Sequence, residues 1–295
     1  MTLHQRLVWL LCNFIENLPG MKTIIVPTDF SETAYNAARY ALGLAQQTGA
    51  TRILLYHAYE LIVPIPDLPT AVPMVNMEDL KASSIEGLQH MKAELAPVVP
   101  AGITVDFRAD NHLLAANIDQ VCRDEHADII VMGITGGSQL EEILVGSNTV
   151  DVVKNSSYPV IVVPTEAAFR PIRKVVFACD LRKVAKTTRK DVLYRLLDEF
   201  KPELLVLNVQ KEGKEHLHPE ENQELDNMLH NYNPQYHFID HPNVVEGITG
   251  FADQQSADLL LIIPKKHGLF DSIFKRSHTS RIAFNTHVPL LSIHE

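Results

Sequence analysis

One apolar strand pattern runs through this chain twice. Lys174-Val175-Val176-Phe177-Ala178-Cys179-Asp180 repeats Lys22 to Asp29 with one residue of drift at the strand start, which sets Asp29 and Asp180 151 residues apart. Leu54-Leu55-Tyr56-His57 and Leu205-Val206-Leu207-Asn208 keep that offset. Further on, Ala127-Asp128-Ile129-Ile130 stands 130 residues before Ala257-Asp258-Leu259-Leu260, and Pro159-Val160 stands 130 before Pro289-Leu290. The second copy therefore lacks 21 residues between its second and third strands, where it has only the polar, histidine-bearing stretch 211–231. A chain of 295 residues is long enough for two domains of roughly 150 residues each. The expected division is an extension at 1–20, a first domain at 21–166, a linker at Glu166 to Pro171, and a second domain at 171–295.

Each copy alternates apolar strands with helical patterns. In the first, Thr23-Ile24-Ile25-Val26-Pro27 is a continuous apolar run of the kind found in strands covered on both faces. Ser31 is placed to cap a helix that Gly49 stops near Thr48. A strand at Arg52 to His57 precedes a proline-rich loop with Pro64, Pro66, Pro69 and Pro73. A helix over Met77 to Ala96, a strand at Ile103 to Phe107, a helix over Leu113 to His126 and a strand at Asp128 to Met132 follow. A last helix near Gly146 to Asn155 leads to a strand at Pro159 to Val163. Strands alternating with helices of this length imply βαβ units with right-handed crossovers. The expected class is α/β, with two tandem doubly wound, five-stranded parallel-sheet (Rossmann-like) domains.

Composition narrows the function. The formal net charge of −10 repels phosphate backbones, which speaks against nucleic-acid binding. Cys12, Cys122 and Cys179 make an odd number with no CxxC pair; a disulfide framework or zinc ribbon is not supported, and a reducing cytoplasm fits. No apolar run reaches the roughly 18 residues a membrane helix needs. Leu7 to Ile15 imitates a signal peptide but lacks a small-residue cleavage site. The reading preferred here is that Met21 is the true start or that 1–20 is an arm; a docking segment carrying Trp9 is the alternative. The histidines between His216 and His241 match no standard zinc spacing. Cys122 and Cys179 read as packed small residues, and no G-x-S-x-G elbow anchors a hydrolase triad.

Glycine is scarce, with 13 in the chain, yet Gly133, Gly136, Gly137 and Gly146 fall within fourteen residues directly after the fourth strand. That place is the carboxyl end of a parallel strand, where open α/β sheets bind ligands. Glycines let backbone amides approach an anion. Gly146-Ser147-Asn148-Thr149 would open a helix whose free amides and dipole favour phosphate, and Ser147 and Thr149 add hydroxyl donors. Asp29, at the end of strand one, could accept from ribose hydroxyls. On spacing alone, a tight loop with a helix cap explains the glycines equally well. Neither a P-loop nor a G-x-G-x-x-G fingerprint is present.

Taken together, Val26-Pro27-Thr28-Asp29-Phe30-Ser31, His57-Ala58, the G-x2-G-x9-G-S spacing and Pro159 to Val163 resemble the universal stress protein family. The resemblance spans 21–295 as two copies and is stronger in the first. It implies a five-stranded parallel α/β unit and, in the nucleotide-binding branch, ATP or another adenine nucleotide, with or without Mg²⁺. Site residues implied in the first copy are Pro27, Thr28 and Asp29 from strand one, Ala58 after strand two, and Met132, Gly133, Gly136, Gly146, Ser147, Asn148 and Thr149 from the loop and helix start. Gly137 stands where the family often has a basic residue, which lets AMP or ADP compete with ATP. No catalytic residue is assigned; slow ATP hydrolysis or self-phosphorylation at Ser147 or Thr149 is the lesser alternative, and a nucleotide-free scaffold the main one. The implied dimer edge, Val160 to Val163 against Leu290 to Ile293, would be met within one chain as a pseudo-dimer, with a further homodimer left open.

The second copy reads as degenerate. Pro264 is expected in place of Gly133, His267 of Gly136 and Arg276 of Gly146, while Ala178 and Cys179 replace Pro27 and Thr28. Lys265, Lys266, Lys275, Arg276 and His278 could form a different anion site or only a solvated basic face.

Overall fold

A computed structural model describes residues 20–60, 76–134, 147–181, 184, 188–210, 219–264 and 287–294. The extension with Trp9, glycines 136, 137 and 146, and the basic set from Lys265 to His278 lie outside them.

The first half runs β1 (Thr23–Pro27), α1 (Glu32–Thr48), β2 (Arg52–Ala58), α2 (Met77–Leu95), β3 (Thr104–Asp110), α3 (Leu114–Asp124), β4 (Ile129–Gly133), α4 (Ser147–Asn155) and β5 (Val160–Val163). The second runs β6 (Lys174–Ala178), α5 (Lys190–Phe200), β7 (Glu203–Gln210), α6 (Pro219–Leu229), β8 (Gln235–Asp240), α7 (Val244–Gln254), β9 (Leu259–Ile262) and β10 (Leu290–Ser292). Among the described residues all ten strands form one sheet in the order β3-β2-β1-β4-β5-β10-β9-β6-β7-β8. Pairing is parallel within each half and antiparallel where β5 meets β10, with Leu290 opposite Val162 and Ser292 opposite Val160.

Alternation along the strands explains the layers. Ile24 and Val26 join one buried cluster with residues of α1, α2 and α5, while Ile25 joins a second with α3, α4 and α7. Both faces of a parallel strand are thus apolar, as its continuous hydrophobic run requires. Ser31 caps α1 by accepting from the Ala34 N–H, and Gly49 ends it at φ 74°.

The duplication reaches into the backbone. The Asp128 carboxylate accepts from the Lys22 and Thr23 amides, and that of Asp258 from the Arg173 and Lys174 amides. Phe30 at φ 64° and Leu181 at φ 61° are both left-handed, 151 residues apart.

Several expectations shift. β3 runs on to Asp110 because its polar end is paired: Arg52 holds Asp106 at 2.9 Å, and Arg108 holds Asp110 at 2.8 Å and Glu125 at 3.1 Å. The polar stretch after β7 contains α6, in which Leu225, Met228 and Leu229 at helical spacing are buried. The register pairs Leu205 with Gln235 where Leu54 pairs with Asp106; the shortfall before the third strand is therefore 22 residues, one being regained before the fourth. The connection between halves is stitched down. Asn36 donates to the Pro164 and Ala167 carbonyls, Gln47 exchanges two hydrogen bonds with the Ile172 peptide, and Phe169 packs on Tyr40.

Candidate functional site

In the first half the chain goes from β1 to β2 on one side and returns through β3 to place β4 on the other side of β1. The crevice at the carboxyl ends of β1 and β4 is thus a topological switch point, the usual ligand seat of such sheets. A cavity of about 360 Å³ opens there.

Pro27 helps to open it. Without an amide hydrogen it cannot continue the ladder to β4, and β1 pairs with β4 only at Ile24–Ile129 and Ile25–Ile130. In the second half Ala178 carries that hydrogen, and β6 pairs with β9 at four positions up to Ala178–Ile262.

The loop after β1 is held by its own side chains. Thr28 Oγ accepts from the Phe30 N–H at 3.0 Å and donates to Met91 Sδ at 3.3 Å. Asp29 Oδ1 accepts from both the Ser31 amide (3.1 Å) and its hydroxyl (2.6 Å). Asp29 is exposed and its second oxygen stays available to a ligand. Ser31, Thr33 and Ala34, at the amino end of α1, line the cavity, as do Asn148 and Thr149 at the amino end of α4. Two helix starts therefore converge on one space, and both favour negative charge.

At Gly133 β4 passes close to α1: a β-carbon there would lie 2.6 Å from the Thr33 carbonyl oxygen. Its own carbonyl accepts from the Thr149 hydroxyl at 3.2 Å. An apolar wall of Pro27, Tyr56, Ala58, Leu114 and Met132 faces these polar groups. Tyr56 is fully buried, with its hydroxyl accepting from Asn117 at 3.2 Å. Burial and then Asp110 raise that phenol above its ordinary pKa although Asn117 opposes the shift, so it stays protonated near neutrality.

Of the residues singled out from sequence, Pro27, Thr28, Asp29, Ala58, Met132, Gly133, Asn148 and Thr149 meet on this cavity. Ser147 opens α4, and its side chain, like Gly136 and Gly146, lies outside the described residues. Thr33, Ala34, Tyr56 and Leu114 are not singled out by the sequence, where they read as core positions; the switch point brings them to the lining of the cavity.

One assignment in the second half is corrected. Val175 pairs with Leu259 where Ile24 pairs with Ile129, so the counterpart of Gly133 is Ile263, not Pro264. Ile263 is 2% exposed within the core cluster. A branched side chain is thus part of the core where the first half has a glycine pressed against the Thr33 backbone.

Comparisons with known proteins agree with this architecture. A sequence model of the universal stress protein family matches residues 20–164. A universal stress protein of Methanocaldococcus jannaschii is 32% identical over 149 residues, which are 50% of this chain and 84% of that protein. Another from the same organism is 31% identical over 156 residues, 48% of this chain and 94% of that protein. Among solved structures, a universal stress protein from Archaeoglobus fulgidus reaches a TM-score of 0.65 at 18% identity, covering 92% of this chain and 96% of that chain. At that identity the likeness speaks for the fold.

Proposed function

This chain belongs to the universal stress protein family, and from that premise we propose that its first half binds an adenine nucleotide (ATP, ADP or AMP) at the β1–β4 switch point and acts in stress response or signalling in the cytoplasm. The observation that carries the reading is the convergence of two helix amino ends, the Asp29 carboxylate and an apolar wall on one cavity of about 360 Å³, a volume within the range of small-molecule sites.

Ala58 supports adenine in particular. Odd-numbered residues of β2 bond to β3, as in the Tyr59 amide to Asp110 carbonyl bond, and even-numbered ones bond to β1, as in the Arg52 amide to Lys22 carbonyl bond. Beyond the Thr28 amide, which still donates to the Tyr56 carbonyl, the chain after β1 leaves this ladder. The N–H and C=O of Ala58 are left toward the cavity side by side, a donor and an acceptor that match N1 and the N6 amine of adenine. Asp29 would take a ribose hydroxyl, and the helix starts would take phosphate. Any Mg²⁺ would come held mainly by phosphate oxygens and water, since no cluster of three His, Cys, Asp or Glu suits a metal among the described residues.

The second half is proposed as a partner domain without this ligand, on the strength of Ile263 and the four-position β6–β9 ladder. The β5–β10 joint would then take the place of a dimer edge. Thr149 is poorly suited as a phosphoryl acceptor, being 3% exposed with its hydroxyl on the Gly133 carbonyl.

Native mass spectrometry of the purified chain, followed by calorimetry with AMP, ADP and ATP, tests the proposal. Retained or titrated adenine nucleotide, lost by at least about tenfold in Asp29→Ala, is expected. A wild-type chain that takes up none of the three would refute it.

A further inference from the structure

We infer that His57 is a positioning residue that sets base selectivity by keeping the Thr28 carbonyl away from the Ala58 amide. The inference rests on the nucleotide reading above. Along β1–β2 the bonds run in sequence: the Arg52 amide donates to Lys22, and the Thr28 amide donates to the Tyr56 carbonyl at 2.8 Å. The next rung would join the Ala58 amide to the Thr28 carbonyl. That carbonyl is instead bonded to His57 Nδ1 at 2.7 Å. A carbonyl oxygen only accepts, so Nδ1 carries a proton and donates it to this bond. The rung after that would join the Phe30 amide to the Ala58 carbonyl, but the Phe30 amide is turned onto Thr28 Oγ at 3.0 Å.

The imidazole is held in this pose. Its ring lies 4.5 Å from that of Phe30 with a 36° tilt. Phe30 in turn packs so closely on α2 that a β-carbon at Gly87 would meet its ring at 2.7 Å. The second half supplies an internal precedent for the bond: Asn208, the counterpart of His57, donates from Nδ2 to the Cys179 carbonyl at 2.9 Å. A side-chain amide at this place therefore makes the same connection, whereas an aliphatic side chain cannot.

Without a donor at position 57, the Thr28 carbonyl is free to take the Ala58 amide, and the base loses its donor. The phosphate and ribose contacts stay. Base discrimination falls while general affinity does not.

The test uses the full chain and two ligands that differ only at the base edge, AMP and IMP, the latter with an N1–H and a carbonyl oxygen in place of the amine. Calorimetry on wild type should give a preference for AMP of about tenfold or more. His57→Asn should keep that ratio within about threefold, and His57→Leu should bring it close to one with little change for IMP. Should His57→Leu lack a cooperative unfolding transition, His57→Ala is read in its place with the same expectations. An unchanged AMP to IMP ratio in the aliphatic variant, or an equal loss in His57→Asn, overturns the inference while leaving nucleotide binding standing. A wild type that binds neither ligand overturns the nucleotide reading, and this inference falls with it.

Discussion

At position 133 the absence of a side chain is a packing requirement. The would-be β-carbon meets backbone, not the end of a flexible side chain, at 2.6 Å. Gly133→Ala must push α1 away from β4, and overpacking of this kind costs about 1–3 kcal/mol. A lower urea midpoint together with weakened nucleotide binding is expected; an unchanged midpoint would show that α1 gives way freely. Cys122 makes a second point. It is fully buried, and burial first, then Asp119, pushes its thiol far above the ordinary cysteine value. The thiolate is the reactive form, so iodoacetamide at pH 8 should leave Cys122 and the 5%-exposed Cys179 unlabelled in peptide maps until the chain is unfolded. Labelling of either in the native protein contradicts this. The residues that sequence marks on this cavity are those with an unusual backbone or charge, such as Pro27, Asp29 and Gly133. Thr33, Tyr56 and Leu114 carry no such mark, because each is an ordinary core residue of its own element.

Among elements, the contrast between two rungs in β1–β4 and four in β6–β9 traces to one amide hydrogen. Pro27→Ala restores it. The expected result is a longer β1–β4 ladder, unchanged or slightly raised thermal stability, and nucleotide affinity lower by about tenfold or more, since the crevice narrows. Hydrogen exchange at position 27 reads the new rung directly; rapid exchange with full affinity would mean that proline does not hold the crevice open. Strands were legible as apolar runs at nearly their observed places, because burial on both faces leaves no other composition. β3 and α6 were less so. At a sheet edge, charged pairs such as Arg108 with Asp110 and Glu125 carry the strand onward. In α6 the buried Leu225, Met228 and Leu229 stand in a stretch whose other residues are mostly polar in sequence. The one-residue shift from Pro264 to Ile263 has a different origin: the 130-residue offset that aligns Asp128 with Asp258 already carries Gly133 to Ile263, and the strand register agrees with it.

For the molecule as a whole, the two halves lean on each other's fourth strands. Arg195 of α5 crosses to Asp128, with 2.9 Å to its carboxylate and 3.1 Å to its carbonyl. Tyr40 of α1 lies buried, with its phenol pushed up by burial and then by the charge of Asp258. Arg195→Ala removes the first of these contacts from a carboxylate only 16% exposed. A loss of about 1–3 kcal/mol is expected from the urea midpoint, and no loss would assign the joint to apolar packing alone. The repeat made this arrangement partly readable, since two copies of one sheet imply a seam; which helix crosses to which aspartate depends on packing angles that no linear pattern records.

The antiparallel seam of Leu290 to Ser292 against Val160 to Val162 has its two sides on one polypeptide. Dilution therefore cannot part them, for the neighbour is always at the high effective concentration of a tether. In a self-associating chain every substitution must be tolerated on both sides of the axis at once. Here a change such as glycine at 133 against isoleucine at 263 alters one half and spares the other, so the two crevices are free to diverge.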